Sequence, residues 1–188
     1  IIILCESLEL ILDTIKSRCE IYKLTPLTKD ELYKYMAIKG YECSEEEKLS
    51  AIAFSEGIPG RIDRYFSDTE LQELRDKIVD LLLQLTNNEI EAILEKEEQL
   101  VSYKQNKEEV VNVLSSFIRD ILVNKEVYNE NLIINRDKIR SIERLTNEMS
   151  FKKLNKMLLG LQEARKNIKN NVSWAMTVRI MIMDFMEG

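Results

Sequence analysis

The stretch TELQELRDKIVDLLLQL, residues 69–85, decides the fold. Leu71, Leu74, Ile78, Leu81 and Leu85 recur at spacings of three and four, so on a helix they form one continuous apolar stripe. Thr69 and Gln72 ahead of the stripe have the spacing of a capping box, which predicts the helix start. Such a stripe needs partner surfaces, and the chain downstream supplies them. Val110, Leu114, Phe117, Ile118 and Ile121 mark a second long helix, and Phe151, Leu154, Leu158 and Leu161 a third. Asn87-Asn88 breaks the chain before a helix over 89–103, and residues 128–135 read as a loop or short extended piece. Helices are predicted over 136–148, 151–170 and 173–187. In the last of these, Val178, Ile180, Met181, Ile182, Met183 and Phe185 leave almost no polar face. It is expected to be buried on all sides, at the centre of its own bundle or also against another subunit. Residues 70–188 are thus predicted to form a bundle of five or six helices able to fold alone.

Upstream, the helix signals stay explicit on a smaller scale. Thr28-Lys-Asp-Glu31 is a capping box that opens a helix closed by Gly40. Ser44-Glu-Glu-Glu47 is another, for a helix ending near Gly57, and Pro59 suits the first turn of a third helix through Phe66. Residues 26–69 are therefore read as a small three-helix unit, too small to be stable without neighbours.

Residues 1–25 carry a different pattern. The apolar run Ile1–Cys5 and the segment Glu20–Leu24 read as two short strands, with Ser7 capping a short helix over Leu8–Leu12 between them. The opening Ile-Ile-Ile-Leu, with no initiator Met and no basic leader, reads as the end of a sheet whose remainder lies upstream. The fold class is accordingly mainly α: two short strands ending an α/β core, a three-helix unit, then the larger bundle.

Composition agrees. Of 188 residues 45% are hydrophobic and 32% charged, and only 5 Gly and 2 Pro interrupt a chain rich in helix formers. The absence of histidine removes the usual general base and the commonest zinc ligand. Cys5, Cys19 and Cys43 are odd in number and make no C-x-x-C pair, so neither a disulfide framework nor a metal site is expected and a cytoplasmic setting fits. No apolar run is long enough to span a bilayer. The net charge of −6 disfavours nucleic-acid binding by the whole surface, although residues 136–188 hold 11 basic and 6 acidic side chains. That excess reads as a solvated helix face or as a phosphate-contacting patch.

No G-x-x-x-x-G-K-[ST] loop occurs and no histidine-based nucleophile is available, so the segment is not a self-sufficient enzyme. Two arginines remain as candidates. Arg18 follows Ser17 and precedes Cys19 and the second strand, and Arg61 closes Gly57-Ile-Pro-Gly-Arg61. Each is either a surface cation or a placed guanidinium able to neutralise charge on a transferring phosphoryl group. The Cys19 thiol is expected to pack rather than react.

Residues 1–32 resemble the end of the AAA+ ATPase core in bacterial clamp-loader subunits, where a T-I-x-S-R-C segment precedes a strand and the helical lid. Thr14, Ile15, Ser17, Arg18 and Cys19 match it. "SEGIPGRIDRYF", residues 55–66, resembles the G-x-P-G-R segment of the lid, and "ARKNIKNNVSWAMTVRIMIM", residues 164–183, resembles the last collar helices of the delta-prime members of DNA polymerase III. The resemblance implies an end of the AAA+ core over 1–25, a lid over 26–69 and an oligomerising collar over 70–188. It implies that Arg18, with Ser17 and Cys19, acts as an arginine finger in trans toward ATP held by a neighbouring gamma/tau subunit. Arg61 is implied to be a nucleotide-sensing residue, in vestigial form, and no cofactor is expected within the segment itself. The implied partners are gamma/tau and delta subunits in a hetero-pentamer, with the sliding clamp and primer-template DNA reached through the whole complex. Cys5-Glu6-Ser7 stands where an active ATPase often has a sensor-1 polar group, which favours delta prime over a gamma/tau-type ATPase. A gamma/tau-type fragment and an unrelated helical interaction module are the alternatives.

Overall fold

The computed structural model describes residues 1–5, 7–127 and 129–187. The expectations that touch Glu6, Tyr128 and Gly188 lie outside the described residues. Ten α-helices and short 3-10 turns make up the regular structure of those residues.

The two predicted strands are not formed. Residues 1–5 and 20–24 have no regular hydrogen bonding, and Ile1, Ile2, Leu4 and Leu24 are exposed. A strand needs a neighbouring edge to satisfy its N–H and C=O groups. None of the described residues offers one, so β-type composition yields open backbone. Between these segments Ser7 caps a 3-10 turn over Leu8–Leu10, and α1 is a single turn, Asp13–Lys16.

The small helical unit forms as its caps dictate. In α2, Lys29–Lys39, the Thr28 backbone N–H donates to Glu31 Oε2 at 2.8 Å while the Glu31 N–H donates back to Thr28 Oγ1. Gly40 ends it in the left-handed conformation at φ 71°. The same reciprocal box, Ser44 with Glu47, opens α3, Glu45–Ser55. Pro59 is the first residue of α4, Pro59–Ser67. Leu32, Met36, Ala51, Ile52, Ile62 and Tyr65 bury together between these helices as a core of their own.

The helix α5, Thr69–Asn87, starts one residue earlier than its predicted box. Asp68 is the cap, accepting from the Leu71 N–H at 3.0 Å, and Arg64 holds the same carboxylate at 3.0 Å. A fixed carboxylate is a stronger cap than a threonine hydroxyl would be at the next position. All five stripe residues are buried. The remaining helices are α6, Ile90–Ser102; α7, Lys107–Val127; α8, Ile139–Glu148; α9, Phe151–Lys169; and α10, Trp174–Met186. They close a ring: α5 packs on α6, α6 on α10, α10 on α9, α9 on α7 and α7 on α5, with α8 seated against α5 and α7. Among the described residues, a core of thirty-one buried side chains fills it. Each large apolar side chain there contributes about 1.5–3 kcal/mol by leaving water.

Two close fits fix the last helix. The Trp174 indole N–H donates to the Leu100 carbonyl at 3.0 Å, pinning the start of α10 to the end of α6. Gly160 lets α9 and α10 approach, since a Cβ there would stand 3.3 Å from the Phe185 ring. The helix is nevertheless not buried on all sides. Trp174, Thr177, Val178, Met181, Ile182 and Phe185 face the core, whereas Met176, Ile180 and Met183 face solvent. Its neighbours α6 and α9 cover only one side, so an almost wholly apolar sequence leaves an apolar stripe outside. Phe151 likewise departs from its predicted line and is exposed, while Met157, Ala164 and Ile168 complete the buried face of α9.

Candidate functional site

Arg18 lies in the turn that follows α1. Its N–H donates to the Ile15 carbonyl, the Cys19 N–H to the Lys16 carbonyl, and Ser17 Oγ to the Thr14 carbonyl at 3.3 Å. The turn is therefore built by its own backbone, and Ser17, Arg18 and Cys19 are all exposed. The Cys19 thiol does not pack. Among the described residues the Arg18 guanidinium has no hydrogen-bonding or ion-pair partner, so it is a displayed cation. No hydrogen bond or ion pair among the described residues joins residues 1–25 to the helices that follow.

The first tie comes immediately after. The Leu27 N–H donates to the Gly57 carbonyl at 2.8 Å, and Gly57 itself sits at φ 87°. A Cβ on Gly57 would stand 2.5 Å from Pro26 Cβ and 3.0 Å from the Leu27 carbonyl oxygen. The glycine of the G-x-P-G-R stretch thus serves both a left-handed backbone and the passage of the Pro26–Leu27 chain over it. Arg61, one turn into α4, pairs with Glu56, whose own φ of 49° turns it back toward the helix start.

Arg61 faces a cleft of about 830 Å³ between α4 and the beginnings of α7 and the end of α9. No residue of 1–25 lines it, so the fold does not bring Arg18 and Arg61 into one site. Arg64, on the next turn, donates to Asp68 at 3.0 Å and to Glu109 of α7 at 2.7 Å, bridging the two helical units. Arg165 of α9 donates to Asn112 Oδ1 at 2.9 Å and to Ser115 Oγ at 2.7 Å.

At the back of the cleft lies a group that sequence reading missed. Arg75 of α5 is 2% exposed and donates to Tyr65 Oη at 2.8 Å, Gln72 Oε1 at 2.9 Å, Asn135 Oδ1 at 3.2 Å and Asp137 Oδ1 at 2.7 Å. Its guanidinium also stacks over the Tyr65 ring, 4.8 Å from the centroid. Burial is the largest influence and would lower its pKa; the Asp137 carboxylate and the Tyr65 hydroxyl together outweigh it and hold the guanidinium charged. Asn135 continues the network to the fully buried Asp120, which accepts from the Ile134 and Asn135 N–H groups and from Asn135 Nδ2 at 2.9 Å. The Asp137 N–H donates to Ser50 Oγ of α3 at 3.0 Å. The signal was available in the sequence: Arg75 stands four residues after Leu71 and four before Val79, on the buried side of its helix.

On the far side of the small unit, Tyr35 and Tyr41 both donate phenolic hydrogens to the Asp63 carboxylate, with Lys39 Nζ at 3.7 Å. These donors, Tyr41 foremost, hold the Asp63 carboxyl below its ordinary range, and burial together with Asp63 pushes the Tyr41 phenol up. Among the described residues no group of three His, Cys, Asp or Glu side chains could hold a metal ion, and no helix is long and apolar enough to cross a membrane.

A family model describing the C-terminal part of the DNA polymerase III delta subunit matches residues 80–186, from the middle of α5 to the end of α10. No curated protein matches the chain, and no solved structure does.

Proposed function

The chain belongs to the family of C-terminal domains of the DNA polymerase III delta subunit, and on that premise we propose that it acts as a clamp-loader subunit of the DNA polymerase III holoenzyme. In this reading it helps to load the sliding clamp onto primed DNA, in the cytoplasm, within a hetero-pentamer that includes gamma/tau and delta subunits. The observation that carries it is the match itself, which covers five of the six helices of the ring-shaped bundle and the last part of α5.

The bundle is the collar, the part that joins subunits. The solvent-facing stripe Met176, Ile180 and Met183 supports this, because an apolar row at spacings of four and three is what a partner helix would cover. The adjoining α6 exposes Ile90 and Leu94 as well. Residues 1–25 are the end of an AAA+ core and residues 26–69 its lid. Arg18 is the finger that reaches a neighbouring subunit's ATP; its exposure and its lack of a partner among the described residues favour that role. Arg61 is a vestigial nucleotide sensor, a reading favoured by its separation from Arg18, since no residue of 1–25 lines the cleft it faces. Within that family the resemblance of residues 164–183 to delta-prime collar helices favours the delta-prime type, contributing to clamp-loading ATPase activity without a catalytic site of its own.

Size-exclusion chromatography of the chain with gamma/tau and delta subunits tests this. Co-elution is expected, and the double variant Met176→Asp, Met183→Asp should abolish it while leaving helical content intact. Absence of a complex with the wild-type chain would overturn the assignment.

A further inference from the structure

The cleft beside Arg61 has a charge pattern that assembly does not account for. Five basic and three acidic side chains line it, in a protein whose net charge is −6. Two of the cations are not neutralised by any carboxylate among the described residues. Arg165 is held only by neutral acceptors, Asn112 and Ser115, which orient its guanidinium and leave its charge uncompensated. Lys107, at the start of α7, has no ion pair among the described residues. On the opposite wall Arg61 is 44% exposed and its partner Glu56 is 74% exposed. An ion pair that open to water is weak and readily exchanged for another anion. Phe54 and Ile134 supply apolar lining between these walls.

We infer that this cleft binds a small ligand bearing adjacent oxyanions, phosphate or carboxylate, clamped by Arg165 and Lys107 on one wall and Arg61 on the other. The planar fork of Arg165, with two nitrogens already fixed by Asn112 and Ser115, presents its remaining donor edge in a set orientation, the geometry suited to such groups. A displaced Glu56 carboxylate would return to solvent. The three carboxylates interspersed among the cations select a compact ligand over a long polyanion, which they would repel. The cleft volume lies within the range of small-ligand pockets.

Isothermal titration of the 188-residue chain with inorganic pyrophosphate and, separately, with citrate tests the inference. At least one should bind saturably and more weakly as salt rises, and whichever binds tighter identifies the source of the oxyanion. Arg165→Gln and Lys107→Gln should each weaken that binding about tenfold, the loss of one charge-assisted contact. Lys166→Gln, on the same helix but paired with Glu163, should leave it unchanged. Arg165→Gln can keep a bond to Asn112 or Ser115, and circular dichroism establishes that each variant is folded. The inference is overturned if neither probe binds, or if binding survives undiminished in both cleft variants. Tighter, equally Arg165-dependent binding of single-stranded oligothymidylate would overturn it in favour of a nucleic-acid track.

Discussion

The backbone N–H of Leu27 meets the carbonyl of Gly57 at 2.8 Å, and this bond closes the entrance to the small helical unit. Because Gly57 combines φ 87° with a Pro26 contact that a Cβ could not tolerate, Gly57→Ala should be destabilising. The left-handed backbone alone costs about 1–2 kcal/mol, and displacement of Pro26 adds to it. Gly60, three residues on, has open space around its Cβ position and helical backbone, so Gly60→Ala should be neutral or stabilising by up to about 1 kcal/mol. Urea denaturation of both variants checks the contrast; equal effects would contradict it.

Arg75→Ala should cost about 3–5 kcal/mol, the usual consequence of breaking a buried ion pair from one side. Asp137 and Asn135 would lose their donor and Tyr65 its stacking partner. In a double-mutant cycle with Asp137→Ala the two losses should sum to less than expected from each alone, since they share one network. Strict additivity in thermal or urea unfolding would show that the network is not a unit.

The two sides of α10 should respond differently to the same substitution. Met181 is 1% exposed, and Met181→Asp should cost about 3 kcal/mol or more by burying an unpaired charge. Met183 is 54% exposed, and Met183→Asp should alter folding stability by only a few tenths of a kcal/mol. Thermal unfolding of both separates the two; comparable destabilisation would mean that the stripe is covered within the chain.

Stability should fall on the acid side through depressed carboxyls. Tyr41 and Tyr35 hold Asp63 down, the Leu71 N–H holds Asp68, and the Thr28 N–H holds Glu31. A carboxyl whose folded pKa is lowered contributes its stability above the unfolded value and loses it as pH falls through the folded one, here below about pH 4. Asp63→Asn should therefore melt below the wild type at pH 7, with the gap narrowing as the pH falls below about 4. A gap that stays constant across that range would rule out the contribution.

If Arg18 is the finger, Arg18→Ala in the full-length protein should leave assembly intact and lower DNA-stimulated ATP hydrolysis and clamp loading. Fingers of this kind contribute about 10³- to 10⁵-fold at the site they serve, so the loss in a ring with several sites should be smaller. Arg18→Lys should rescue poorly, because an ammonium lacks the forked geometry. Wild-type loading by Arg18→Ala in a correctly assembled complex would remove the assignment.

What the sequence carried legibly was local or periodic. The capping boxes at Thr28 and Ser44, the left-handed Gly40 and the stripe of α5 each depend on residues within a few turns, and each formed as read. The strands did not, because apolar β-type composition describes a surface waiting for an edge, and the edge is a property of other residues. The outward row of α10 was illegible for a related reason: a helix apolar on every side does not announce which side its neighbours leave bare. Arg75 and its partners Asn135 and Asp137 were missed because they come together across sixty residues of sequence, and a lone arginine in a helix ordinarily reads as solvated. Arg61 and Arg18 were legible as individual arginines, whereas the walls around Arg61 belong to α7 and α9 and had to be folded to be seen.

The knot at Arg75 also has a mechanical meaning. It ties Tyr65 of α4, the first turns of α5 and the Asn135–Asp137 turn around one buried charge, with Ser50 of α3 strapped to the same turn. A region stitched in that way does not work as a joint. By contrast, no hydrogen bond or ion pair among the described residues ties residues 1–25 to the helices that follow. Bending between the two helical units would have to break this buried charge network together with the Arg64–Glu109 bridge.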